Sequence, residues 1–411
     1  MYLSPFAARR IIETVGSSGT PPEWGFQAFT AGIEPYLDVL EKDYLETFLA
    51  EGGATFKLVV GTYGGGKTHF LYSVRDIAWQ RGYVVAYVPL SHESSPFHRL
   101  DLVYAAIAKS LTLPRADEAL EDVERGMLPL LKEWHMRLST ALRSQGLPED
   151  ELSEAEEEVA AGAVRGVESI HLQKAVVQAL GALARNDERT LEDLVEWLSG
   201  EGYSRERHKR YGLLHGIDRS VALNMLRSLA QWVRALGYPG LCILFDEAEQ
   251  VPSLSTKQRD ALLSNLRELI DECGHQHFQG TLVMYAVPDE SFFEGRTSVY
   301  EALNQRIATV FDVFNPTGTK IRLDALPIDA VPLLDAIGQK LAAIYELAYT
   351  MTLTHKDETV AALAKAAYEH RFGDIGYKRL FVQGCVRAFH LLRAKPESRI
   401  DVAEARKLLR D

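Results

Sequence analysis

The stretch FKLVVGTYGGGKTHFLYSV, residues 56–74, decides the fold of this chain. It contains the pattern G-x-x-x-x-G-K-[ST], with Gly61, Gly66, Lys67 and Thr68 at the fixed positions. An apolar run before the glycines predicts a buried strand, and the apolar periodicity after Lys67 predicts a helix. Because the pattern is informative only between a strand and a helix, this context favours a phosphate-binding loop over a simple glycine turn.

The residue types in this loop suit the binding of a nucleotide. Glycines allow backbone N–H groups to point at phosphate oxygens, and the N-terminus of the following helix adds a favourable dipole. We expect Lys67 to neutralise charge on the β- and γ-phosphates, and Thr68 to offer its hydroxyl to Mg²⁺. The run YVVAYVPL, residues 83–90, predicts the next strand of a parallel sheet, joined by a right-handed crossover.

A second motif, LCILFDE at residues 241–247, predicts a buried strand that ends in two carboxylates. Asp246 stands where a nucleotide-hydrolysing enzyme needs an acid to hold Mg²⁺. Glu247 follows it directly and is expected to polarise the attacking water as a general base. The alternative is that Glu247 is only a surface acid beside the end of a strand. Together the two motifs predict nucleotide binding and favour hydrolysis.

Residues further along the chain are candidates for sensing the nucleotide. On the next strand the polar candidates are Tyr285 and Asp289, for which a core tyrosine and a turn aspartate are the alternatives. Arg306 is placed where it could meet the γ-phosphate of a neighbouring subunit, and the alternative is a structural salt bridge. Lys378 and Arg379 begin a late helix, from which one of them could reach the nucleotide; the alternative is a solvated helix face.

The composition indicates an ordinary globular protein of 411 residues with a net charge of −12. This negative net charge argues against a protein whose whole surface binds DNA, although it allows a local basic patch. The basic run SRERHKRYG, residues 204–212, is expected to be a solvated loop, with a phosphate contact as the alternative. No apolar run approaches a membrane span, and the N-terminus lacks the features of a secretory signal. The three cysteines have no metal-like spacing, and we predict a cytoplasmic protein without a membrane partner.

Alternating strand and helix patterns predict an α/β core followed by helices. The expected division has an N-terminal helical segment at residues 1–50 and a core at 51–325. The core includes a helical insertion at about 97–215. A helical lid is expected at 326–411.

The chain resembles AAA+ ATPases of the origin-recognition and initiator type in the spacing of GTYGGGKTHF, GLCILFDEAE, ALNQRI and GYKRL. More closely, residues 4–32 and 226–249 resemble the ATP-binding proteins of BREX bacteriophage-exclusion systems, in particular their shorter, BrxD-like members. The resemblance implies a RecA-like P-loop NTPase core with a parallel sheet, a helical insertion and a C-terminal helical lid. It also implies Mg²⁺-dependent ATP hydrolysis in phage defence.

The resemblance carries roles for particular residues of this chain. ATP would be bound by the loop residues Gly61, Thr62, Tyr63, Gly64, Gly65, Gly66, Lys67, Thr68 and His69. Thr68 and Asp246 would serve Mg²⁺. The catalytic set would be Glu247, Lys67, Arg306 as an arginine finger and Arg379 as a lid sensor. The segment from Pro21 to Phe26 would lie near the adenine.

The resemblance further implies a homo-oligomer with ATP between subunits, acting with DNA or with a DNA-processing partner such as a helicase. The chain ends soon after the lid, so we expect any DNA contact through the core, the 97–215 insertion or a partner. The alternative function is a nucleotide-gated scaffold that recruits an effector with little turnover. A signalling NTPase unrelated to nucleic acid is a third possibility.

Overall fold

The strand predicted before the glycine loop lies inside a mostly parallel sheet in the computed structural model. The model describes residues 3–91, 93–115, 123–148, 150–246, 254–289, 298–325, 328–370 and 376–410. Within them the strands are β1 (Ala54–Val60), β2 (Val84–Pro89), β3 (Leu111–Thr112), β4 (Leu241–Asp246), β5 (Thr281–Val287) and β6 (Lys320–Arg322). Their spatial order is β3-β2-β4-β5-β1-β6. Every pairing is parallel except that of the short β3 with β2. The predicted α/β class is therefore confirmed.

Both faces of the sheet are covered, which explains why its strands read as continuous apolar runs. Alternate residues of each strand point to opposite faces. Thus Leu58 of β1 and Phe245 of β4 belong to one hydrophobic cluster, whereas Val59 and Leu244 belong to another. The first face is covered by α4 (Leu100–Ser110), α10 (Ala222–Ala235), α11 (Thr256–Gly274) and α12 (Ser298–Ile307). The second face carries α3 (Lys67–Gln80) and the helix α2 (Glu34–Val39), which continues as a π-helix over Leu40–Phe48.

A group of helices follows β3 and extends the core of the first face. Its members are α5 (Met127–Ser144), α6 (Leu152–Ala163), α7 (Ile170–Ala184), α8 (Glu188–Leu198) and α9 (Arg205–His208). Trp134 and Trp197 from these helices are buried in the same cluster as the sheet residues. At the beginning of the predicted 97–215 insertion, α4 packs on a face of the sheet and β3 forms an edge strand of the sheet itself.

The C-terminal helices form a second core together with the first helix of the chain. They are α13 (Ala330–Tyr349), α14 (Lys356–His370), α15 (Tyr377–Ala394) and α16 (Val402–Leu408), and α1 (Pro5–Ser18) packs among them. Ser4 caps α1, and Gly19 ends it in the left-handed conformation with φ +63°. Because α1 joins this core while α2 lies on the sheet, residues 1–50 contribute to two cores. The domain boundaries at 50 and 325 stay a prediction.

No helix of the described residues is long and apolar enough to cross a membrane.

Candidate functional site

The glycine loop connects the end of β1 to the start of α3. Gly64 and Gly66 have φ values of +68° and +101°, in the region that side chains disfavour. A Cβ on Gly64 would also lie 3.0 Å from the Cα of Gly376, at the start of α15. At Gly66 a Cβ would meet no atom within 4 Å, so only the backbone conformation requires glycine there. The loop therefore folds as a cradle whose outer wall is the C-terminal helical group.

Lys67 places a buried positive charge at this cradle. Its side chain is 6% exposed, and its Nζ donates to the carbonyl oxygens of Gly61 at 2.9 Å and Thr62 at 3.3 Å. Anionic oxygens form stronger, charge-assisted hydrogen bonds with an ammonium group than neutral carbonyls do. The position of the ammonium group thus fits a phosphate ligand.

The next residue, Thr68, is joined to the end of β4. Its hydroxyl donates to the Asp246 Oδ2 atom at 2.7 Å, across 178 residues of chain. The Tyr87 hydroxyl of β2 donates to the same oxygen at 2.6 Å. Burial raises the pKa of Tyr87, and the charge of Asp246 raises it further, so the phenol remains a donor. Sequence reasoning brought Thr68 and Asp246 together but missed Tyr87.

These oxygen groups fit Mg²⁺ bound jointly by protein and nucleotide. The described residues contain no group of three His, Cys, Asp or Glu side chains that could hold a metal ion. Mg²⁺ usually keeps several waters and takes one or two protein carboxylates plus substrate phosphates. Thr68 and Asp246 would supply the protein share of such a site, whereas Glu247 lies outside the described residues.

An apolar cavity opens beside the cradle. It has about 730 Å³ of empty space, including its mouth. Its apolar walls come from Val15, Pro21, Phe29, Ile33, Leu333, Ile337 and Val382. Gly64, Gly65 and Gly66 line the same cavity. An apolar pocket next to a phosphate cradle suits a nucleotide base. Pro21 lines this pocket, and the placement of residues 21–26 near the adenine stays a prediction.

His69 forms part of the wall between the cavity and the loop. Its Nε2 lies 2.7 Å from the Thr30 hydroxyl, and the rings of Phe26 and Phe29 pack against it at 5.1 and 5.3 Å. Burial, followed by the charges of Lys378 and of a second lysine, lowers the pKa of His69 to about 4. The imidazole is therefore neutral, and it fixes the wall without adding charge.

The N-terminal segment that supplies Pro21 is fastened to α3 by Arg75. This guanidinium is buried, lies 4.6, 4.6 and 4.5 Å from the ring centroids of Trp24, Tyr72 and Trp79, and donates to the Glu23 carbonyl oxygen at 2.8 Å. Cation–π contacts on three sides hold the segment against the helix that begins at the cradle. No motif in the sequence predicts this role of Arg75.

The first turn of α15 reaches the cradle through both candidate cations. Lys378 is half-buried, and its Nζ lies 3.3 Å from the Gly65 carbonyl oxygen. Burial of its ammonium group lowers the Lys378 pKa. Arg379 donates to the Ser18 carbonyl oxygen and to the Tyr63 hydroxyl, both at 2.6 Å. These side chains contact the loop and the N-terminal segment and do not form a solvated helix face.

Two other candidates lie apart from this cavity. Arg306 forms an ion pair with Asp271 of α11, with Nη2 and Oδ2 2.9 Å apart, and it donates to the Ala302 carbonyl oxygen at 2.7 Å. Tyr285 is buried in the core, with its ring centroid 5.0 Å from that of Phe97. The role of Arg306 towards a neighbouring subunit stays a prediction.

A glycine cradle between a parallel strand and a helix, with an acid at the end of a nearby strand, defines a P-loop NTPase. The chain belongs to the BREX system ATP-binding proteins BrxC/D, since the model of that family matches residues 4–406. It is therefore an ATP-binding protein of a phage-defence system, as the sequence resemblance predicted.

No curated protein matches the chain. Among solved structures it is similar to the ORC2 protein of Aeropyrum pernix in ADPNP–ADP complexes. The identity is 13%, the match covers 94% of this chain and 71% of the other, and the TM-score is 0.45.

Proposed function

We propose that this chain binds ATP together with Mg²⁺, hydrolyses the ATP between subunits of a homo-oligomer, and acts with DNA or a DNA-processing partner such as a helicase. The observation that carries the proposal is the 2.7 Å contact of Thr68 with Asp246 beside the buried ammonium group of Lys67. This contact supports a phosphate and magnesium site built from two stretches that lie far apart in the sequence.

Different residues of the chain bind the nucleotide and the metal and take part in hydrolysis. Lys67 holds the phosphate charge, and Thr68 and Asp246 hold the metal. Bound Mg²⁺ supplies positive charge that stabilises the phosphoryl oxygens during transfer. Glu247, next to the metal-holding acid, accepts a proton from the attacking water. Arg379 adds a cation from the lid side of the cradle.

The test compares nucleotide binding with turnover in two variants. Lys67→Ala should abolish the rise in melting temperature that ATP produces, because ligand binding to the folded state alone stabilises it. Glu247→Gln should keep that rise and lose turnover by roughly 10²- to 10⁴-fold, the usual contribution of a general base. Glu404→Gln, which removes one acid from α16, is the matched control. Wild-type turnover in Glu247→Gln, with DNA present, would contradict the enzymatic proposal.

A scaffold that binds ATP with little turnover is the second candidate, and the Arg306 ion pair favours it. The guanidinium engages Asp271 of its own chain, so a finger acting on a neighbour must leave that partner. Arg306→Ala and Asp271→Asn both break the ion pair, but only the first removes the guanidinium. Loss of turnover in Arg306→Ala alone supports the finger. Unchanged turnover in both variants assigns Arg306 to the ion pair.

A further inference from the structure

A cluster of two exposed arginines, an exposed histidine and more deeply buried tyrosines lies on the C-terminal helical group. The guanidinium carbons of Arg9 on α1 and Arg393 on α15 lie 4.3 and 4.1 Å from the ring centroid of Tyr349. The Tyr349 ring stacks on Tyr345 at 4.5 Å, and the Tyr345 hydroxyl lies 2.8 Å from Nδ1 of the exposed His390. We call Arg9, Tyr349, His390 and Arg393 the lid arginine cluster.

The lid arginine cluster concentrates positive charge. Partial burial lowers the pKa of His390, and the charges of Arg393 and Arg9 lower it further, whereas Glu13 raises it. Arg9 pairs with Glu13 at 3.0 Å, but both side chains are about half exposed or more, and such pairs contribute little. Arg393 has no carboxylate within ion-pair distance among the described residues. Two guanidinium groups thus share one ring, and an anion would relieve their repulsion.

The surroundings favour a polyanion over an acidic patch of protein. Residues 326–411 carry 13 Lys and Arg against 11 Asp and Glu, in a chain whose net charge is −12. Arg10, Lys395 and Arg399 are exposed and lie next to the cluster in sequence. Planar guanidinium groups bind phosphate through paired hydrogen bonds, a geometry that suits the phosphate backbone of a nucleic acid.

Two of the four Lys and Arg residues in the other basic run of the chain are paired with a carboxylate of the protein. Arg207 lies 3.2 Å and Arg210 2.6 Å from the carboxylate oxygens of Asp193. Arg205 and Lys209 of that run are exposed and have no carboxylate within ion-pair distance in the part of the chain that the structure describes. The run therefore offers less free charge than its sequence suggests.

The lid arginine cluster is also separate from the nucleotide cavity. Arg379, which lines that cavity, begins α15, and Arg393 lies near the end of the same helix. At 1.5 Å per residue the two positions are roughly 20 Å apart along the helix axis. Variants of the cluster can therefore change DNA binding without touching the ATP site.

We propose that the lid arginine cluster binds the phosphate backbone of DNA. The inference rests on the proposed function only for the presence of DNA as a partner. It places the contact on the lid, outside the core and the 97–215 insertion where the sequence led us to expect it.

The test measures binding of fluorescein-labelled duplex and single-stranded DNA by polarisation over a range of salt concentrations. Arg9→Ala/Arg393→Ala removes two cluster charges, and Arg205→Ala/Lys209→Ala removes two charges from the other basic run. The cluster variant should bind DNA roughly tenfold or more weakly, with a salt slope reduced by about 2, whereas the control should match wild type. A double Arg→Lys variant at positions 9 and 393 should recover most of the salt slope.

Thermal melting with and without ATP checks that both double variants are folded and bind nucleotide. Wild-type DNA affinity and salt slope in the folded cluster variant would overturn the lid proposal while leaving the proposed function standing. Absence of DNA binding by the wild-type protein would overturn the lid proposal and the DNA part of the proposed function, but not ATP hydrolysis.

Discussion

Replacing Tyr87 by Phe removes a single hydroxyl, which donates to the Asp246 Oδ2 atom at 2.6 Å. Hydrogen bonds to a charged acceptor contribute about 1.5–3 kcal/mol, and the carboxylate is buried. We therefore expect the free energy of unfolding without nucleotide to fall by that amount. Partners that orient a metal-holding carboxylate are typically worth about 10- to 100-fold in metal affinity. The Mg²⁺ concentration that gives half of the ATP-induced melting shift should rise correspondingly.

Tyr83→Phe is the matched control, because Tyr83 lies just before β2, is also buried, and donates to a neutral group. Its hydroxyl is 2.7 Å from the Leu45 carbonyl oxygen. Its loss should lower stability by only about 1 kcal/mol and leave the Mg²⁺ dependence unchanged. Equal Mg²⁺ dependence in wild type and both variants would refute the positioning role of Tyr87. An equal rise of the required Mg²⁺ concentration in the two variants would also refute this role, because the loss of stability alone would then explain the effect.

Three further predictions concern buried groups outside the phosphate cradle. Burial lowers the Lys57 pKa from 10.5 to about 7, so the unfolded chain binds more protons between those values. The free energy of unfolding of the wild type, relative to that of Lys57→Met, should therefore rise by up to about 1.4 kcal/mol per pH unit in this window. If denaturant titrations from pH 7 to 9 give a constant difference between the two proteins, the prediction is contradicted. Arg75→Met removes the cation that pairs with Asp76 and leaves Glu23 with Arg125 as its partner, so it should cost about 3 kcal/mol, with weaker ATP binding; a loss within error on denaturant titration would refute the anchoring role. Cys242, Cys273 and Cys385 are buried with raised thiol pKa values, so native protein should react with a thiol reagent only as it unfolds. Fast labelling of the native protein would disprove that.

Local patterns predicted the parts of the site that depend on neighbours in sequence. The apolar run and periodic helix around Gly66 predict the cradle, because strand and helix periodicity are properties of short windows. The capping box of Ser255 and Gln258 that begins α11 in the structure also depends only on residues close together in sequence. Asp246 could be placed because an acid at the end of an apolar strand is equally visible in sequence.

Contacts between distant elements could not be predicted in this way. Tyr87 looks like any β-strand tyrosine until β2 pairs with β4 and brings its hydroxyl to Asp246. The Asp271 partner of Arg306 depends on how α11 and α12 pack, which no spacing in the sequence encodes. Arg75 needs three aromatic rings from two segments around it before its anchoring role becomes visible.

The packing of α1 against the last helices also has a consequence for the growing chain. Ile11, Ile12 and Val15 are buried by helices that begin roughly 300 residues later. At about 5–20 residues per second, a ribosome would need some 15 to 60 s to supply them. During that interval the apolar face of α1 lacks its final partners, so a nascent or prematurely terminated chain should attract chaperones and proteases through its first helix.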